Sequence, residues 1–214
     1  MKNLLLLGDS IRKGYDSFVK EKLAGRANVY FSEDNGRFAQ YTLRMLSNWK
    51  GELSLPEIHL VHWNNGLWDV LHQAVGDAGA DGETLGETMT PVNVPTRRFD
   101  REPLTPPDMY RSMIFRVAVR IKQLFPRAEV VFATSTPVIE EQSTWAYRSN
   151  REIEEYNAIA REVRAPLGIR INELGRFAAE RCAGLHQDWV HYTDEGSSLL
   201  ASEIIDYLEK ENLL

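Results

Sequence analysis

The chain has 214 residues, 43% of them hydrophobic and 26% charged. These are the proportions of an ordinary soluble globular protein, long enough to bury a core without disulfides or metals. The formal net charge of -6 argues against a nucleic-acid partner, which calls for clustered Lys and Arg, and against an anionic membrane surface.

The first segment, Leu4–Leu7, is a short apolar run that stops at Gly8-Asp9. It is too short for a signal peptide or a membrane span, and reads as a strand buried on both faces of a parallel sheet. Gly14–Ala24 follows with Tyr15, Phe18, Val19 and Leu23 at helical spacing, then a second strand at Asn28–Phe31. Arg37–Trp49 carries a helical stripe of Phe38, Tyr41, Met45 and Trp49, and Ile58–Trp63 is a third strand. The stretch from Val75 to Pro107, rich in Gly and Pro, is expected to be a long loop insertion at the rim of a site or a plain surface loop. Beyond it come a helix over Asp108–Phe125, a strand over Ala128–Thr134, a helix over Asn150–Arg164 and a brief strand over Gly168–Ile171. Helices over Leu174–Ala183 and from Asp194 to about Glu211 complete the pattern. Cys182, the single cysteine, falls in the first of these and reads as a passive thiol; without a disulfide, the chain fits a reducing, cytoplasmic compartment.

Strands alternating with helices mean right-handed βαβ units. The expected fold is α/β: a single-domain three-layer α/β/α sandwich around a flavodoxin-like five-stranded parallel sheet. Ligands of such sheets bind outside the carboxyl ends of the strands. Four segments place small, polar or titratable residues there: Gly8-Asp9-Ser10-Ile11, Ser32–Gly36, Asn64-Asn65-Gly66-Leu67 and Asp188-Trp189-Val190-His191.

Ser10 follows a strand and opens a helix, so it reads either as a helix N-cap or as a nucleophile in need of a base. Asp188 and His191 lie close enough in sequence for side-chain contact, so the carboxylate can fix the imidazole tautomer while the other ring nitrogen takes a serine proton. Together these blocks resemble the SGNH or GDSL hydrolase family. Its Gly-Asp-Ser-Leu block appears as Gly8-Asp9-Ser10-Ile11, its second-block Gly as Gly36, its Asn block as His62-Trp63-Asn64-Asn65, and its terminal Asp-x-x-His as Asp188 to His191. The chain departs from the family pattern at His62, where Gly is usual, and at Asn65, where Asp is usual.

The resemblance implies a serine esterase with Ser10 as nucleophile, His191 as general base and acid, and Asp188 orienting His191. The backbone N–H groups of Ser10 and Gly36 and the Asn64 amide would form the oxyanion hole, Asn65 being the alternative to Asn64. It implies a small-molecule ester as substrate, an acetylated carbohydrate among the options. Longer acyl chains, as for a thioesterase or lysophospholipase, and a non-catalytic binding module on the same fold are the competing readings. Trp63, Asn65, Trp68, Trp145 and Trp189, with Tyr147 beside them, are candidate pocket residues because flat aromatic faces suit sugar rings and acyl chains. No cofactor is expected: nucleotide-binding glycine motifs are absent, and His59, His62, His72 and His186 lack metal-ligand spacing.

Overall fold

The computed structural model describes residues 1–75, 98–99, 102–142 and 146–214. Its main sheet has five strands: β1 (Lys2–Leu7), β2 (Ala27–Phe31), β3 (Leu60–Trp63), β6 (Glu129–Ala133) and β8 (Arg170–Asn172). They lie in the order β2-β1-β3-β6-β8, and every pairing is parallel. The continuous apolar runs explain this. Leu4 to Leu7 are at most 3% exposed, as a strand covered on both faces requires.

The helices are α1 (Ser10–Lys22), α2 (Ala39–Glu52), α3 (Pro107–Leu124), α4 (Asn150–Arg164), α5 (Leu174–Arg181) and α6 (Asp194–Lys210). Helix α1 packs extensively on α6, and α2 and α4 both pack on α3. The sheet thus lies between two helical layers, giving the three-layer α/β/α arrangement. No helix among the described residues is long and apolar enough to cross a membrane.

Three strands absent from the sequence reading form a second sheet. β4 (His72–Val75) pairs antiparallel with β5 (Arg98–Phe99) on one side and β7 (Ala146–Tyr147) on the other. Within the expected 75–107 loop, Arg98–Phe99 pairs with Ala74–Val75 across the β4–β5 ladder, residues 102–107 lead into α3, and residues 76–97, 100 and 101 lie outside the described residues. The small sheet anchors the segment that continues from β7 to Ser149.

Candidate active site

The site is assembled at the carboxyl ends of β1 and β3 by turns that bring backbones into unusually close contact. Helix α1 starts at Ser10, four residues earlier than the sequence spacing predicts, and its N-cap is Asp9. Asp9 Oδ1 accepts the Ile11 N–H at 3.0 Å. Ser10 is consequently the first residue inside the helix, and its hydroxyl has no capping duty. Its own N–H is among those that a helix start leaves without an intrahelical partner.

Ser10 Oγ lies 2.9 Å from His191 Nε2, and His191 Nδ1 lies 2.7 Å from Asp188 Oδ2. The other Asp188 oxygen accepts the N–H groups of Val190 and His191, each at 2.7 Å. Partial burial pushes the Asp188 carboxyl up, but the two backbone bonds, the His191 ring bond and the His191 charge outweigh it and hold the carboxyl below its ordinary range. The Asp-x-x-His segment is thus a turn closed by its own carboxylate, immediately before Thr193 caps α6 through a bond from the Gly196 N–H.

Asn64 and Asn65, adjacent in sequence, have different surroundings. Asn64 Nδ2 donates to Asp9 Oδ1 at 3.3 Å, which engages one of its two hydrogens beside Ser10. Its side chain lies so close to Gly8 that a Cβ there would be 1.7 Å from Asn64 Oδ1, so only glycine fits at position 8. Asn65 is fully buried: its Oδ1 accepts the Trp63 Nε1–H at 2.6 Å, and its Nδ2 donates to Arg37 O at 2.9 Å and Thr42 Oγ1 at 3.1 Å. Every hydrogen-bonding group of that amide is occupied, so Asn65 is neither an oxyanion donor nor a pocket residue.

Two further expectations, for Gly36 and Trp63, are corrected, and His62 is placed in the core. The Gly36 N–H donates to Gly8 O at 2.8 Å, so it is engaged by the backbone beneath Ser10 rather than free for an oxyanion. Gly36 serves instead as a close backbone contact, since a Cβ would come within 2.5 Å of that carbonyl oxygen. Trp63 is 1% exposed and meets Phe132 edge-on at 4.9 Å, which makes it core rather than pocket wall. His62 sits in the middle of the sheet, wholly buried, and desolvation lowers its pKa to about 3, so it is a neutral core ring remote from proton transfer. Of the remaining aromatic candidates, Trp68 is half-buried, Trp189 is 9% exposed and adjoins the Asp–His pair, and Trp145 lies outside the described residues.

The loops are held from beneath by charged groups. Buried Arg12 pairs with Asp16 at 2.6 Å and donates to Ser32 O and Asp34 O, tying α1 to the loop after β2. Asp69 accepts the Ala39 N–H through both oxygens, at 3.1 and 3.2 Å, and so supplies α2 with the cap that its N-cap residue Phe38 lacks. Burial pushes the Asp9 carboxyl above its ordinary range, against the opposing pull of Ile11 N–H, Asn64, Arg148 and Arg12.

Arg148 is the site residue that the sequence reading missed. It is 4% exposed, its Nε donates to Leu67 O, and its guanidinium lies 5.0 Å from the Trp189 ring centre. It therefore stands between the segment that carries Asn64 and the segment that carries Asp188 and His191.

Neither a protein-family model nor a curated protein sequence matches the chain significantly. Solved structures do. A lipase/acylhydrolase from Enterococcus faecalis has a TM-score of 0.67 at 17% identity, over 99% of this chain and 97% of that one. An acetyl xylan esterase, AlAXEase, has a TM-score of 0.63 at 15% identity, over 96% and 99%. A member of the lipolytic protein G-D-S-L family from Veillonella parvula has a TM-score of 0.61 at 15% identity, over 98% and 99%. The chain thus has the fold of the SGNH, or GDSL, hydrolases.

Proposed function

We propose that the protein is a serine esterase that hydrolyses small carboxylic esters through an acyl-enzyme on Ser10. The observation that carries this reading is the single hydrogen-bonded line from Ser10 Oγ through the His191 ring to Asp188, at 2.9 and 2.7 Å. A serine hydroxyl is inert at its free pKa, and an imidazole at hydrogen-bond distance removes that obstacle.

The chemistry follows from the geometry. As Ser10 Oγ attacks the acyl carbon, His191 Nε2 takes its proton, and Asp188 stabilises the imidazolium through Nδ1–H. Negative charge develops on the former carbonyl oxygen at the N-terminus of α1. The Ser10 N–H, which has no partner within the helix, and the second hydrogen of the Asn64 amide are the donors that meet it, aided by the helix dipole. His191 then protonates the leaving alkoxide. Water then enters, His191 takes a proton from it as its oxygen bonds to the acyl carbon, and the Oγ–acyl bond breaks as His191 returns that proton to Ser10 Oγ, releasing the acid.

Short acyl groups such as acetyl are the favoured substrates, a carbohydrate acetyl ester among them. Trp189, buried within the Asp-x-x-His segment itself, supports an aromatic edge to the site that suits a small ring. Turnover of p-nitrophenyl acetate by wild type and Ser10→Ala tests the core reading, and a series from acetyl to decanoyl tests chain length. Undiminished hydrolysis by Ser10→Ala contradicts the first, and rates that climb with chain length contradict the second.

A further inference from the structure

Arg148 has no part in the proton transfers above, yet its environment is costly for a spectator. A guanidinium has five N–H donors. Only the Nε hydrogen is bonded, to Leu67 O; the four on the two Nη atoms have no acceptor among the described residues. The side chain is only 4% exposed, and its Nη atoms meet what solvent reaches it, so most of the charge is desolvated with no protein acceptor among the described residues to compensate. Desolvation lowers its pKa to about 10, with Asp9 and Asp188 pulling the other way, so it stays charged at neutral pH. Neither carboxylate forms an ion pair with it. The Trp189 face and the Leu67 carbonyl hold the guanidinium plane in place, which leaves the Nη fork preorganised and open.

We propose that Arg148 is a specificity residue whose Nη fork receives a carboxylate carried by the substrate near the scissile ester, so that the site prefers anionic esters to neutral ones. The proposal rests on the ester-hydrolase reading. A planar fork matches the two oxygens of a carboxylate and fills the donors that the protein leaves empty, whereas one neutral carbonyl fills fewer. The preference has to be local, because a chain of net charge -6 does not attract anions at long range. Asp9 and Asp188 strengthen the argument. Without Arg148 they would repel a substrate anion, so losing the guanidinium harms anionic esters far more than neutral ones.

Two matched pairs place the carboxylate on either side of the ester. They are 4-nitrophenyl hydrogen succinate against its methyl ester, and 4-acetoxybenzoate against its methyl ester. In at least one pair the wild type prefers the anion by about tenfold or more in kcat/KM, mainly through KM. In Arg148→Gln that preference disappears or inverts, and Arg148→Lys, which keeps the charge but not the fork, retains part of it. No preference in either pair, or an equal loss on both members of each pair, overturns the proposal and makes Arg148 a clamp between two loops. Calorimetry on Ser10→Ala protein supplies a readout without turnover. The anionic ester of the preferred pair binds more tightly than its methyl ester, and Arg148→Gln in the same background removes the difference. Anion-selective binding without hydrolysis by wild type would sink the esterase reading and leave the Arg148 site standing; hydrolysis without selectivity would do the reverse.

Discussion

Asp9 Oδ1 accepts the N–H of Ile11 at 3.0 Å, and this bond determines what Ser10 is free to do. Both residues are good helix caps by type. Because Asp9 takes the duty, the Ser10 hydroxyl faces His191 instead, and the same Asp9 oxygen holds the Asn64 amide beside it. One buried carboxylate therefore positions both Ser10 and the Asn64 amide, the proposed nucleophile and oxyanion donor.

Replacing Asp9 separates its cap from its charge. Asp9→Asn retains an oxygen for the Ile11 N–H and relieves a buried carboxyl, so stability is held and most activity remains. Asp9→Ala loses the cap at a cost of about 1 kcal/mol and frees the Asn64 side chain, so kcat falls as well. Urea midpoints with ester turnover on both variants check the contrast.

The adjacent asparagines have opposite phenotypes. Asn64→Ala lowers kcat on the order of 100- to 1,000-fold with little change in KM or in unfolding midpoint, as expected for a donor used in the transition state. Asn65→Ala leaves the Trp63 indole and Thr42 hydroxyl without partners in the core and costs roughly 1–3 kcal/mol of stability. Equal behaviour of the two variants in kinetics and denaturation would contradict the distinction.

How far the sequence reveals this depends on how local each signal is. Strands β1 and β6 announce themselves because burial on both faces demands an apolar run, and β3 does so despite His62 within it. The Ser10 and Asp188–His191 segments are legible because each packs its chemistry into a few neighbouring residues. Strands β4, β5 and β7 are too short to display a period, and their pairing joins distant segments. Arg148 was hidden for the same reason: its partners, Leu67 and Trp189, are far away in sequence, and a lone arginine in a loop carries no pattern. Full burial of Trp63 and partial burial of Trp68 likewise follow from the sheet position of one and the turn position of the other, which their residue type does not encode.

Asp69 makes stability depend on pH. Burial raises its pKa from the ordinary carboxylate range to about 7. The folded state thus holds a proton that the unfolded state has released, so stability is greatest below about pH 4 on this account and declines as pH rises towards 7, by up to roughly 1.4 kcal/mol per pH unit. Asp69→Asn keeps an acceptor for the Ala39 N–H and abolishes that decline. Denaturation at pH 5 and pH 8 should show the variant gaining on wild type at the higher pH; a constant difference would contradict the assignment.

Asp188 has the opposite sign. Its pKa is depressed, so the stabilisation from its bonds to His191 and Val190 is present above the unfolded carboxylate pKa and is lost only as pH falls below it. Its side chain is 45% exposed, so solvent screening keeps the stability effect small. The catalytic effect is large: Asp188→Asn, which keeps the shape but misassigns the ring tautomer, lowers kcat by about 100- to 10,000-fold. Steady-state kinetics beside an unchanged thermal midpoint would bear this out.

The central claim is that the His191–Asp188 pair makes Ser10 a nucleophile, and covalent labelling tests it most directly. Intact-mass spectrometry after treatment with a fluorophosphonate should show one adduct on the wild type, mapped to Ser10 by peptide analysis. The adduct should be absent from Ser10→Ala and form far more slowly on His191→Ala, with all three proteins folded by circular dichroism. Folded wild-type protein that stays unlabelled, or carries its label on another residue, would contradict the account.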